Sequence, residues 1–204
     1  MLEELAKISE NALMNIMRNI VDQRRVIPKT DSLESIGDLI GLKRNEKYII
    51  VNSYPWPNVS ATNKTCTYQD YWAKKEGFLI DKKLREAGLH KYHIIGQYHS
   101  HIIKPDEERG KGLSKEKPGD TSTGDIPFFR VLMKKLSLDE TIQILSSVRI
   151  KDTDKIQEID ERTIEYKNTI RIIWKAQQRT YDAIFNAFVL NLMKNPREIP
   201  LRKI

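Results

Sequence analysis

The sequence predicts an α/β fold. Three observations carry that expectation. Segments with helical apolar spacing alternate with short β-branched runs, Gly and Pro mark most of the boundaries, and 204 residues with 39% apolar content can bury one substantial core. The expected organisation is a single domain over 1–204, with a motif-bearing core at about 10–150 and C-terminal strands and a helix over 151–204.

The first expected helix covers 2–25, where Leu2, Leu5, Ile8, Leu13, Ile16, Met17 and Ile20 recur at helical spacing and Pro28 bars easy continuation. A short apolar segment with Gly37 and Gly41 follows. KYIIVNSY (47–54) reads as a strand that Pro55 and Pro57 end. A second helix is expected over 70–87, closed by Gly88. HIIGQYHSH (93–101) is a strand. Residues 102–121 hold ten charged residues, three Gly and two Pro, the composition of a surface loop. A third helix is predicted over 125–136 and a strand over 141–150. One or two more strands are expected within 156–176, and a last helix over 178–194 with Tyr181, Ile184, Phe185, Phe188 and Leu192 on one face.

Composition narrows the function classes. The formal net charge is +7, but basic residues are interspersed with acidic ones and no nucleic-acid recognition motif accompanies them. Cys66 is the only cysteine, so an intramolecular disulfide is impossible. There is no apolar run long enough to span a membrane, and the first ten residues are too acidic for a signal peptide. The expectation is a cytoplasmic protein whose sequons at Asn58 and Asn63 are chance matches.

His99 and His101 lie one residue apart on a predicted strand. Side chains two apart share a face, so both imidazoles can reach one metal while Tyr98 and Ser100 face the other way. His90 and His93 are rivals that lack an i+2 partner. Asp125, between a loop and an apolar run, supplies a carboxylate. A His-His-Asp set leaves one tetrahedral position for water. Ser122-X-X-Asp125 is equally a capping box, and Asp31-X-X-Glu34 has the same ambiguity. In the functional reading Glu34 is a general base and Ser122 an oxyanion donor.

Together these residues resemble the JAMM (MPN+) family of zinc metallopeptidases, which includes proteasome-lid deubiquitinases and archaeal relatives. The family pattern is a Glu, then His-X-His, seven residues, Ser, two residues and Asp. Glu34-Ser35-Ile36-Gly37-Asp38-Leu39-Ile40-Gly41 is similar to its E-x-x-G-x-L-x-G element, and LREAGL before GQYHSH is similar to its helix and histidine strand. Two departures stand out. Ile102 occupies the position where the family has Pro, and twenty residues separate His101 from Ser122, so Ser114 and Asp120 fall within the interval.

The resemblance implies a mixed, curved sheet flanked by helices, like that of cytidine deaminases. It also implies one Zn2+ held by His99, His101 and Asp125, with Glu34 as base and Ser122 on the oxyanion. The implied activity is cleavage after the C-terminal Gly-Gly of ubiquitin or a ubiquitin-like modifier, with loop 102–121 bordering the cleft. The alternative is a non-catalytic scaffold of the same family, forming a homo- or hetero-dimer through the helices at 2–25 and 178–194.

Overall fold

The computed structural model describes residues 4–26, 35–56, 60–61, 66–67, 79–103 and 125–204. Strand β1 (Leu5–Ile8) leads into helix α1 (Glu10–Val26), and β2 (Ile36–Arg44) and β3 (Lys47–Pro55) form a hairpin. β4 (Ser60–Ala61) and β5 (Cys66–Thr67) pair separately, and helical residues 79–86 form α2. Then come β6 (His93–Ile103), α3 (Asp125–Lys135), β7 (Glu140–Tyr166), β8 (Thr169–Asn191), β9 (Arg197–Ile199) and β10 (Leu201–Lys203).

The main sheet has eight strands in the order β10-β1-β3-β2-β6-β7-β8-β9. β1 runs parallel to both β3 and β10, β6 runs parallel to β7, and the other pairings are antiparallel. The two edges of this order are adjacent in the chain. β9 and β10 flank Pro200, with Ile199 opposite Ala187 of β8 and Leu201 opposite Ala6 of β1. The chain therefore joins one edge of the sheet to the other, and the sheet is nearly closed.

This overturns the expected α/β class. The chain is mostly β, a nearly closed, barrel-like sheet with three helices among the described residues, and not a helix-flanked α/β sheet. The predicted helix over 178–194 lies largely in β8, which ends at Asn191. Tyr181, Ala183, Phe185, Ala187 and Val189 alternate into the core at period two. Aromatic and β-branched residues fit that pleated surface well. The single expected helix over 2–25 is instead a strand followed by a helix, divided at Ser9. The Ser9 hydroxyl accepts the Ala12 N–H at 3.1 Å and caps α1. The Ser9 N–H donates to the Ile50 carbonyl at 2.8 Å, which ties the division to the sheet.

One apolar cluster explains why the sheet curls. It takes Ala12, Leu13, Ile16, Met17, Ile20 and Val21 from α1, together with residues from all eight strands of the sheet. Their spacing gives α1 a single apolar stripe, and the sheet wraps around it. A smaller cluster packs Ile126, Phe129, Leu132 and Met133 of α3 against Ile36, Trp56 and Leu190. In a third, Ile80 meets Ile40 and Ile94.

Two glycines answer specific needs. Gly37 pairs with Tyr98 across β2 and β6, and a Cβ there would sit 2.5 Å from the Tyr98 ring and against the Tyr54 carbonyl. Gly88, at φ 73°, takes the left-handed position after α2. Its N–H donates to the Arg85 carbonyl and that of Leu89 to the Leu84 carbonyl, the two bonds of a Schellman cap. No helix among the described residues is long and apolar enough to cross a membrane.

If α1 is the filling of the sheet, truncating a wholly buried side chain on it destabilises the whole molecule. Ile16→Ala should cost about 2–5 kcal/mol in chemical denaturation, with the cooperativity of the transition kept. A loss under about 1 kcal/mol would place Ile16 outside a close-packed interior.

Candidate metal centre

The site begins with the alternation of β6. In register, Tyr98 lies opposite Ile144 and Ser100 opposite Ser146, whereas His99 lies opposite Leu145 and His101 opposite Ser147. Tyr98 belongs to the core cluster around α1, and its phenol oxygen accepts a 2.8 Å hydrogen bond from Asn19 Nδ2. Burial, reinforced by the Asp38 charge and opposed by the Asn19 hydrogen bond, pushes the Tyr98 phenol well above its usual range. With Tyr98 committed to that side, His99 and His101 are turned to the opposite face, toward α3.

α3 brings the third group. Asp125 is its first described residue, and Phe129, one turn on, lies beside His99 with ring centroids 5.1 Å apart. The Asp125 Oδ2 is 3.4 Å from His99 Nε2 and 3.5 Å from His101 Nε2. The two imidazoles meet edge-on at a centroid distance of 4.8 Å. One ligand atom from each of the three residues lies within 4.8 Å of the others, so the group could hold a metal ion.

The atoms fit such an ion in two ways. Ligand atoms bound at about 2.0–2.1 Å in tetrahedral geometry lie roughly 3.3–3.4 Å apart. The two nitrogen–oxygen distances are near that spacing, and longer than a good N–H···O hydrogen bond. His99 is buried, and neither of its ring nitrogens has a hydrogen-bond partner among the described residues. Buried imidazole nitrogens without partners are costly, and a cation between Nε2 and the carboxylate would satisfy one of them. Burial alone would raise the Asp125 carboxyl, but the adjacent His101 and His99 imidazoles outweigh it. They hold Asp125 well below the usual carboxylate range, as an anion suited to ligation.

Side-chain exposure is 5% for His99, 16% for Asp125 and 28% for His101, so the group opens to solvent on the His101 side. His90 and His93 are exposed and are not part of the group. Glu34 and Ser122, expected as base and oxyanion donor, lie outside the described residues, as do Ser114, Asp120 and 104–121 of the charged loop.

Ser35, next to Glu34 in the chain, shows an arrangement that the sequence reading missed. Its N–H donates to Ser100 Oγ at 2.8 Å, its carbonyl accepts the Ser100 N–H at 2.9 Å, and the two hydroxyls are 3.1 Å apart. Both residues are buried. The available signal was positional, a serine beside each candidate functional residue, Ser35 after Glu34 and Ser100 between the histidines.

No family model matches the chain, and no curated protein matches it. Among solved structures, the solution structure of protein DSY2949 from Desulfitobacterium hafniense is similar at 14% identity and a TM-score of 0.48. That match covers 98% of this chain and 92% of the other.

Because one ligand atom from each of the three residues lies within 4.8 Å of the others, each should matter to any metal the group holds. Wild-type protein treated with a chelator and titrated with Zn2+ should gain thermal stability, by about 4 kcal/mol when free metal exceeds the dissociation constant a thousandfold. His99→Ala, His101→Ala and Asp125→Ala should each abolish most of that gain and lower the metal content found by elemental analysis. Equal metal content in all four proteins would remove the site.

Proposed function

We propose that the protein is a zinc-dependent isopeptidase or peptidase that removes ubiquitin or a ubiquitin-like modifier after its C-terminal Gly-Gly. The observation that carries this reading is the pair of imidazoles on one face of β6, with the Asp125 carboxylate 3.4 and 3.5 Å from their Nε2 atoms. Those three residues stand in the order of the JAMM pattern, with Glu34 before them and Ser122 three positions ahead of Asp125. The reading rests on the order of that residue set and on the spacings within His99-X-His101 and Ser122-X-X-Asp125, not on fold class.

His99 and His101 would hold the ion from a strand whose other face is buried in the core, and Asp125 would complete the set from α3. Zinc would supply Lewis-acid polarisation of the scissile carbonyl and acidify a water. Glu34 takes a proton from the attacking water and delivers it to the leaving amine. The Ser122 hydroxyl donates to the oxyanion of the tetrahedral intermediate. The gradient of exposure gives the substrate its approach, from the His101 side.

The scaffold alternative loses the two faces that motivated it. The apolar stripe of α1 is enclosed by the sheet, and 178–194 falls largely in β8. A scaffold would bind partners and leave Gly-Gly conjugates intact.

The test is a panel of fusions and isopeptide conjugates ending in Gly-Gly, incubated with zinc-loaded protein. Wild type should cleave at least one after the second glycine. Glu34→Gln should retain one zinc per chain and lose cleavage. Ser122→Ala should lower kcat roughly 10²–10³-fold. Full activity in Glu34→Gln, or no cleavage by zinc-loaded wild type, refutes the assignment.

A further inference from the structure

We propose that Gln143 is a positioning residue for His99, whose carboxamide oxygen accepts the Nδ1–H of that imidazole and so keeps the Nε2 lone pair turned to the ion. The inference rests on the metal-binding part of the reading above and not on the reaction.

The face of the sheet that carries His99 and His101 holds a second polar group. Asp38, Gln97 and Gln143 stand opposite one another on β2, β6 and β7. Gln97 is two residues from His99, so this row shares the face of the histidines and lies about 6.6 Å away along the strands. All three side chains are buried. Gln97 Nε2 donates to Asp38 Oδ1 at 3.5 Å, and Gln143 Nε2 donates to Gln97 Oε1 at 2.9 Å. The β2 end dictates the direction of this chain. A carboxylate only accepts, so Gln97 turns its NH2 to Asp38 and its oxygen to Gln143. Gln143 gives its own NH2 to Gln97, which leaves its oxygen as the free end. That oxygen has no hydrogen-bond partner among the described residues, on a side chain at 0% exposure. A polar row kept only to specify the sheet would gain nothing from an open acceptor, because a half-satisfied buried network is costly.

His99 is the complement of that free end. Its Nδ1 and Nε2 are both enclosed, and both lack hydrogen-bond partners among the described residues. Nε2 is the atom 3.4 Å from the Asp125 carboxylate, and the one an ion would take. Nδ1 then carries the proton and needs an acceptor. The polar residues on this face within one step of His99 are Asp38, Gln97, His101, Gln143 and Ser147. Among them, Gln143 has the enclosed oxygen on which no hydrogen bond falls. One buried donor and one buried acceptor, neither matched, therefore lie in adjacent rows of one face, a separation that long side chains cross.

Metal-bound histidines commonly donate the second ring N–H to a carboxylate or carbonyl, which fixes the tautomer and raises the basicity of the ligand. Here the carboxylate acts at a distance. Asp38 orients Gln97, Gln97 orients Gln143, and Gln143 orients the imidazole. The bonds all run in one direction, so each polarises the next.

The experiment titrates Zn2+ into chelator-treated wild type, Gln143→Met and Ser146→Ala, and follows the imidazole nitrogens by NMR with and without the metal. Methionine keeps nearly the volume of glutamine and removes the carbonyl. Ser146→Ala is the control, since its Oγ is also enclosed and without a partner among the described residues but belongs to the opposite face of β7. In zinc-loaded wild type, His99 should be protonated at Nδ1 and ligated through Nε2, with a slowly exchanging Nδ1 proton. In Gln143→Met the dissociation constant for Zn2+ should rise roughly 10- to 100-fold, and that proton should exchange faster. The metal-free melting temperature should stay within about 4 °C of wild type, because the substitution exchanges one open acceptor, on Gln143, for another, on Gln97. Ser146→Ala should bind Zn2+ as wild type does.

Wild-type zinc affinity in Gln143→Met overturns the positioning role. An equal loss of affinity in Ser146→Ala, or a metal-free Gln143→Met that melts far below wild type, makes the effect one of packing and overturns it as well. The His99 tautomer is read in wild type without any substitution, and ligation through Nδ1 refutes the proposal even if Gln143→Met does not fold. Zinc bound as expected with no conjugate cleaved removes the hydrolytic reading and leaves Gln143 in its role, whereas a wild type that binds no zinc removes both.

Discussion

The alternation of side chains along β6 is the constraint on which the rest of the site depends. An extended strand turns successive residues to opposite faces, and a slip of one residue exchanges the two sets. Tyr98 cannot leave the core side without giving up an enclosed aromatic ring and the hydrogen bond from Asn19 on α1. Gly37, opposite it, has no side chain because the Tyr98 ring occupies that space. The face shown by His99 and His101 is thus decided on the other side of the sheet, by packing that contains no metal chemistry. That arrangement suits a binding group, because the apolar side supplies the rigidity and the polar side supplies the ligands.

Asp125 reaches the histidines by a different logic. It belongs to a helix, and its place depends on how α3 is seated. Phe129, Leu132 and Met133 bury one face of that helix against Ile36, Trp56 and Leu190, and Arg130 donates to the Asn191 and Lys194 carbonyls. The same Phe129 lies along the His99 ring. Apolar contacts therefore bring an anion to two imidazoles, and the electrostatics of the group follow from that placement. The His101 and His99 interactions lower the carboxyl further than its burial raises it.

How much of this was legible in the sequence depends on how local each signal is. The strands at Lys47–Pro55 and His93–Ile103 and the helix at Asp125–Lys135 carry their patterns within one element, and they lie where the sequence placed them. The pair His99 and His101 was readable from spacing alone. The division of β1 from α1 was not, because Leu5 and Ile8 also fit a helical period, and only the pairing of β1 with β3 and β10 makes that segment a strand. Ser9 was the available mark, as a residue type that caps helices. In 178–194 a helical reading of Tyr181, Ile184, Phe185 and Phe188 competed with alternation of Tyr181, Ala183, Phe185 and Ala187. The small alanines disguised the period of two. That misreading, with β7 and β8 taken as shorter pieces, produced the wrong fold class. Closure of the sheet was beyond local reading, since it depends on Pro200 dividing the last strand between two distant partners.

The buried serines and the buried histidine show how stability and function are balanced at this site. His99 carries nitrogens without hydrogen-bond partners among the described residues, and each such group costs about 1–3 kcal/mol when left unsatisfied. Ser35 and Ser100, one strand apart, carry polar groups that are fully matched to each other. A core that enclosed both types for packing alone would have no use for the first. The contrast is intelligible if the serines complete the fold and the histidine waits for a cation. The extensive cluster around α1 supplies the surplus that lets the chain carry an unsatisfied group at β6. A bound ion would add stability at a buried group that has no hydrogen-bond partner among the described residues.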